Sequence, residues 1–149
     1  MHAIDIITCI RCISKSYDGI LKKICAEYGL TLLEVKVVSF LHNNPEMNTA
    51  GDIAELRMLP KGNVSQAVES LIRRGFLERK PDTADRRKVH LYLLPASKSV
   101  TERIDGEWKK FDEGLFCNFE QKEIAMFEKF KGMLMQNAKT IMKDVEEGK

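Results

Sequence analysis

Residues 64–80, VSQAVESLIRRGFLERK, constrain the fold most, because the hydrophobic rhythm changes within them. Val64, Val68, Leu71 and Ile72 recur at the three-and-four spacing of one helix face, and Gly75 ends that run. Phe76 to Lys80 then reads as a short strand, PDTADRR as a turn, and KVHLYLL alternates with Val89, Leu91 and Leu93 on one face. The chain is therefore expected to pass from a helix directly into a β-hairpin.

What precedes this segment gives the helix a partner. Thr49 can cap a helix running AGDIAELRML, with Asp52 near its positive end and Ile53, Ala54 and Leu56 turned inward. The break LPKGN separates it from the helix at 64–75, and two short helices so joined have the layout of a helix-turn-helix. Followed by a hairpin, they make a winged helix, whose second helix enters the major groove of DNA while the hairpin tip reaches the neighbouring backbone or minor groove. Upstream, Thr31-x-x-Glu34 reads as a capping box opening the helix LLEVKVVSFLHN, stopped by Asn43, Asn44 and Pro45.

The two ends of the chain are helical and amphipathic. Ile6, Ile10, Ile13, Tyr17, Ile20 and Ile24, widened by Ile7 and Leu21, form a stripe along a first long helix that Gly29 closes. Beyond Pro95, Val100, Ile104, Trp108, Phe111 and Leu115 repeat that rhythm. After the irregular CNF at 117–119, a last helix carries Ile124, Phe127, Phe130, Leu134, Ala138 and Ile141. A winged helix of roughly sixty residues cannot bury all these stripes, so a symmetric dimer that covers the same stripe twice is expected. The expected architecture is mainly α with a small β-hairpin. Residues 29–97 would form the winged helix-turn-helix, flanked by helical dimerisation segments at 1–28 and 98–149. No internal repeat, low-complexity run or long linker interrupts it.

Composition narrows the function classes. A chain of 149 residues that is 44% apolar can bury one real core, with an appended helical region. No run of ~18 apolar residues is present, and MHAIDIITCIRC carries Asp5 where a signal peptide needs an unbroken apolar stretch, so a cytoplasmic protein without membrane association is expected. Cys9, Cys12, Cys25 and Cys117 are too unevenly spaced for a disulfide framework and read as free thiols with a structural role. Cys9-x-x-Cys12 lies inside a helical apolar pattern with no second ligand pair, and His2, His42 and His90 are scattered, so neither a metal nor a cofactor is expected. Without a Gly-rich phosphate loop or a paired nucleophile and base, nothing points to an enzyme.

The charge distribution points elsewhere. From Arg57 to His90 nine Lys/Arg face four Asp/Glu, a local excess of +5 in a chain whose total is +2. A basic centre between mildly acidic ends is the electrostatic footprint of a polyanion-binding surface.

Taken together, the order of long helix, capped helix, helix-turn-helix, wing and two long helices resembles the MarR (multiple antibiotic resistance regulator) family of dimeric winged-helix repressors. The wing carries the most specific match. The family pattern Asp-x-Arg, five residues, Leu-Thr is met by Asp85-Arg86-Arg87, KVHLY and Leu93-Leu94. Leu94 replaces the threonine and Ser97 the glycine usual three residues later, departures that concern the exit from the wing. VSQAVESLIRRGFLERK is similar to the family's recognition helix, glycine and first wing strand.

The resemblance implies that Arg87 enters the minor groove and that Asp85 holds the tip in shape, with Arg86 and Lys88 on phosphates. A guanidinium suits the concentrated potential of a narrow minor groove. It further implies that Ser65 and Gln66 face the major groove, where Gln can bind adenine through two hydrogen bonds, while Lys61 and Asn63 meet the backbone. The partner would be double-stranded DNA carrying a pseudo-palindromic operator. A small aromatic ligand would sit between the dimer helices and the winged domain, for which Ile13, Ser14, Tyr17 and Trp108 are candidate lining residues. Two other readings stand beside this one. Cys12, between Arg11 and Tyr17, would make the protein a thiol-based redox sensor of the same fold, or the winged helix would bind protein rather than DNA.

Overall fold

The computed structural model describes residues 2–149. The helices are α1 (Ala3–Tyr28), α2 (Leu32–Asn43), α3 (Ala50–Arg57), α4 (Lys61–Arg73), α5 (Lys98–Leu115) and α6 (Gln121–Glu146), with strands β1 (Leu77–Pro81) and β2 (Val89–Leu93) between α4 and α5. The chain falls into two compact units, one reaching to Phe111 and one from Asp112 to Lys149.

Local chemistry sets the boundaries of the first unit. α1 ends where Gly29 takes the left-handed conformation (φ 63°), which a glycine adopts without steric cost, and the Leu30 amide donates back to the Cys25 carbonyl at 3.1 Å. α2 opens on the expected capping box: the Glu34 amide donates to the Thr31 hydroxyl at 3.2 Å, and the Thr31 amide to the Glu34 carboxylate at 3.0 Å. Thr49 and Asp52 repeat the arrangement at α3, at 3.1 and 3.2 Å. Removing such a cap costs about 1 kcal/mol.

α2 is the central helix. Val35, Val37, Val38, Phe40 and Leu41 are buried on several of its sides, and it packs on α1, α4 and β2. α4 adds Val64, Ala67, Val68 and Leu71, the face read from the sequence with Ala67 filling its middle. Leu56, expected inward, is 49% exposed. α3 stops at Arg57, Met58 turns left-handed (φ 53°), and the Leu59 amide donates to the Ala54 carbonyl, so Leu59 packs against the core instead.

The hairpin is antiparallel, with Leu77 opposite Leu93, Arg79 opposite Leu91 and Pro81 opposite Val89. Leu77 and Leu91 are buried and fix which face meets the helices. The Leu91 amide donates to the Asn48 carbonyl at 2.8 Å, tying β2 to the segment between α2 and α3.

Both long terminal helices leave apolar surface uncovered. Of α1 only Leu21 and Ile24 are buried, and Ile4, Ile7 and Ile10 are exposed. α6 has no buried residue, and Phe127, Phe130, Met133, Leu134 and Ile141 stand exposed along it.

Candidate nucleic-acid interface

α4 carries the first half of the candidate surface. Its core side is fixed by Val64, Val68 and Leu71, so Lys61, Asn63, Ser65 and Gln66 are left exposed on its first turns. No side chain caps the helix start at Pro60, which leaves amides at the positive end of the helix dipole free for an anion. Ser65, Gln66, Glu69 and Arg73 line one shallow groove.

The helix is braced along its C-terminal half. Arg79 of β1 pairs with Glu69 on the outer face of α4. Arg74, just past the helix, donates to the Gly29 carbonyl at 2.7 Å and the Tyr28 carbonyl at 3.1 Å, and lies 3.6 Å from the buried Glu34 carboxylate. Read from sequence, Arg73 and Arg74 would merely offset the C-terminus of their own helix. Arg74 instead closes the C-terminus of α1.

The wing tip is built from carboxylates that accept backbone amides. Asp85 takes the Arg87 amide at 3.0 Å through its side chain and the Lys88 amide at 3.1 Å through its carbonyl. It shapes the tip through the backbone, with no ion pair to the Arg87 guanidinium. Arg86, Arg87 and Lys88 are exposed, and none has an ion-pair partner among the described residues. Candidate residues are thus presented by α4 and by the tip of the hairpin that follows it, with Arg79 of β1 paired to Glu69 of α4.

Sequence reasoning missed Asp82. One of its oxygens accepts the Ala84 amide at 3.0 Å and the Asp85 amide at 2.7 Å, an Asx-type turn that PDTAD could have signalled. The other lies 2.7 Å from His90 Nε2, and His90 Nδ1 lies 2.6 Å from Asn48 Oδ1. The His90 hydrogen bond, followed by the two backbone amides, holds the Asp82 carboxyl down at about 2.

A second feature lies between α1, α2, α3 and α5. A cavity of about 440 Å³ is lined by all four residues expected there, Ile13, Ser14, Tyr17 and Trp108. Tyr17 meets Trp108 edge-on with centroids 5.6 Å apart and Phe111 at 5.7 Å. The polar groups were not anticipated: Asp18 and Lys36 pair at 2.9 Å on its wall, and Arg57, which stacks over Phe40 at 5.2 Å, is a third charge.

All four cysteines are free thiols. The structural role expected of them holds for Cys25, which packs against the core and whose thiol is pushed up by burial. Cys9, Cys12 and Cys117 are exposed, the first two because they lie on the turns of α1 whose apolar stripe stays uncovered. Among the described residues no three His, Cys, Asp or Glu gather as a metal site, and no helix is long and apolar enough to cross a membrane.

A braced helix-turn-helix followed by a basic hairpin defines a winged-helix protein of the DNA-binding class. The sequence profile of the MarR family matches residues 28–88, the span from the end of α1 to the wing tip. It is 25% identical over 86% of its length to the HTH-type transcriptional regulator YsmB of Bacillus subtilis (strain 168), covering 87% of that protein. It is also 25% identical to the HTH-type transcriptional repressor YetL of the same organism, over 89% of this chain and 79% of that one. In fold it is similar to a MarR protein from Peptoclostridium difficile (TM-score 0.79, 22% identity, 95% and 92% of the two chains). It also resembles a cysteine-to-serine mutant of Escherichia coli MarR complexed with operator DNA (TM-score 0.68, 18% identity, 88% and 94%). The protein is thus a helix-turn-helix, DNA-binding transcriptional regulator, not an enzyme.

Proposed function

We propose that this regulator is a homodimeric repressor that binds a pseudo-palindromic operator and leaves it when a small aromatic effector enters the cavity beside α1. Residues 29–97 act as the DNA-binding domain, and residues 1–28 and 98–149 as the dimerisation region. Gln66 and Ser65 read bases in the major groove, Arg87 enters the minor groove, and Lys61, Asn63, Arg86 and Lys88 hold phosphates.

The observation that carries the reading is the presentation of free cations. Arg86, Arg87 and Lys88 stand unpaired on a tip whose own acids are consumed by backbone amides and His90. No carboxylate of the tip neutralises them, so their combined field is open to a polyanion. The name of YetL supports repression, and the uncovered faces of α1 and α6 support a dimer. Arg74 supports effector release: it joins the end of α1, whose earlier turns line the cavity, to the end of α4.

The test is selection of bound duplexes from a random library, followed by titration of the enriched sequence. Recovery of an inverted repeat bound by two chains is expected. Failure to enrich any sequence would favour a winged helix that docks on protein.

A further inference from the structure

Besides the Arg79–Glu69 pair and the buried Leu77 and Leu91, two hydrogen-bonded ties join the wing to Asn48 in the segment between α2 and α3. One is the backbone hydrogen bond from Leu91 to Asn48. The other is a side-chain relay, Asp82–His90–Asn48, in which the central imidazole is half-buried and Asn48 is 6% exposed. Nothing assigned to DNA or effector uses this relay. We infer that His90, as an imidazolium donating from both ring nitrogens, is the positioning residue that locks the wing tip onto the α2–α3 segment, and that loss of its second proton releases the tip.

With the Asn48 amide oxygen turned towards the ring, both neighbours of His90 are acceptors, which is the arrangement an imidazolium satisfies. An ionised carboxylate only accepts, so at 2.7 Å from Asp82 Oδ1 the proton between them belongs to His90 Nε2. At the other nitrogen the group 2.6 Å away is the amide oxygen of Asn48, a second acceptor. A neutral imidazole has one N–H and cannot serve both. Turning the Asn48 amide over would let its NH₂ donate to a neutral ring, which is the arrangement the inference opposes.

β1, the tip and α3, the elements around the relay, each carry charged groups. Lys80, its cross-strand neighbour on β1, lies 3.1 Å from Glu78 and over the Tyr92 ring. In the tip, the Asp85 carboxylate is occupied by the Arg87 amide, and Lys88 is tied through its backbone, with its carbonyl accepting the Asp82 amide at 3.0 Å. On α3 the Asp52 carboxylate is taken up by the Thr49 amide. Asp82 anchors the Ala84 and Asp85 amides, so releasing His90 frees the loop that carries Arg86 and Arg87.

The inference rests on the wing as a DNA contact, and its test separates the two. Long-range ¹H–¹⁵N correlation of the full chain at about pH 6 reports the ring directly, and both His90 nitrogens are expected in the protonated region. Raising the pH to about 8.5 should accelerate exchange of the Ala84 and Asp85 amides beyond the intrinsic increase. Affinity for a fluorescent duplex selected by the wild type should fall about three- to tenfold, the worth of roughly one hydrogen bond. His90→Gln should flatten that profile to whatever His2 and His42 contribute, and Asn48→Asp should hold affinity to higher pH because an anion retains the imidazolium. An unprotonated Nδ1 at about pH 6, or a His90→Gln profile that overlays the wild type, overturns the inference. If the ring and amide signals behave as expected while duplex affinity ignores pH and Arg87→Ala alike, the relay stands and the DNA reading of the wing fails.

Discussion

Arg87→Ala isolates the wing's contribution to DNA binding, because the structure separates the side chain from the scaffold. The bond that shapes the tip at this position runs from the Arg87 backbone amide to Asp85, and alanine keeps it. The guanidinium is exposed and has no ion-pair partner among the described residues, so the change should leave stability within ~0.5 kcal/mol. A base- or shape-reading arginine is worth about 1–3 kcal/mol per half-site. A dimer presents two wings, so the loss should reach about 2–6 kcal/mol, roughly 30-fold to 10⁴-fold in Kd. It should shrink on duplexes whose flanks lack A·T-rich steps, where the minor groove is wider. Lys88→Ala supplies the contrast: a phosphate contact lowers affinity for every sequence and, counted on both protomers, reduces the salt slope by ~1.8. Gln66→Ala should relax preference at one base position in each half-site. Fluorescence anisotropy against the selected duplex and a scrambled one, at several salt concentrations, reads all three signatures. Wild-type binding by a folded, dimeric Arg87→Ala protein would remove the wing from the interface.

Phe130 on α6 is 48% exposed, roughly 100 Å² of ring, so covering it in a dimer is worth ~2.5 kcal/mol per protomer. Phe130→Glu should then shift sedimentation towards monomer by roughly 10³-fold or more in dissociation constant, and an unchanged dimer would take α6 out of the interface. Trp108 is the sole tryptophan and lines the cavity, so an aromatic effector should change its fluorescence and Tyr17→Ala should weaken that response; effectors that release DNA without altering the emission would place the site elsewhere. The Asp82 carboxyl is lowered from 3.8 to about 2, so its contribution to the tip is complete above its ordinary value and is lost as pH falls through about 2. The Ala84 and Asp85 amide shifts should therefore hold constant down to ~pH 4, move below it, and become pH-insensitive in that range in Asp82→Asn. The exposure of Cys12 makes a redox reading testable: peroxide should weaken duplex binding by the wild type and spare Cys12→Ser, and equal responses would return regulation to the cavity.

Local rules made the backbone legible. Thr31 and Thr49 with an acid three residues on, Gly29 and Gly75 after apolar runs, and the alternation of Val89, Leu91 and Leu93 each bear on one turn of chain, and the helices and hairpin begin and end there. Leu56 escaped because its burial depends on where α3 stops, and that is decided by the left-handed turn at Met58, a residue type that does not announce one. The polar wall of the cavity escaped for a different reason. Lys36 lies among buried valines on α2 and meets Asp18 of α1 only once the two helices have packed, a pairing between positions eighteen apart that no periodicity encodes.

The same distinction governs the basic segment. Its nine cations and four acids give the sum of +5, but the sum does not say which cations are free. In the fold Arg79 is taken by Glu69, Lys80 by Glu78, and Arg74 by the end of α1, while Arg57 stacks on Phe40. Asp82 and Asp85 spend their charge on backbone amides and His90 rather than on neighbouring arginines. Lys61, Arg73, Arg86, Arg87 and Lys88 remain, two on α4 and three on the tip, so the excess charge is concentrated on the two elements a winged helix turns towards DNA. Pairing thus converts a diffuse basic stretch into a patterned one. A variant that frees a paired cation, such as Glu69→Gln, adds non-specific affinity without adding sequence information, because the arginine it releases lies on β1 rather than on a base-facing turn.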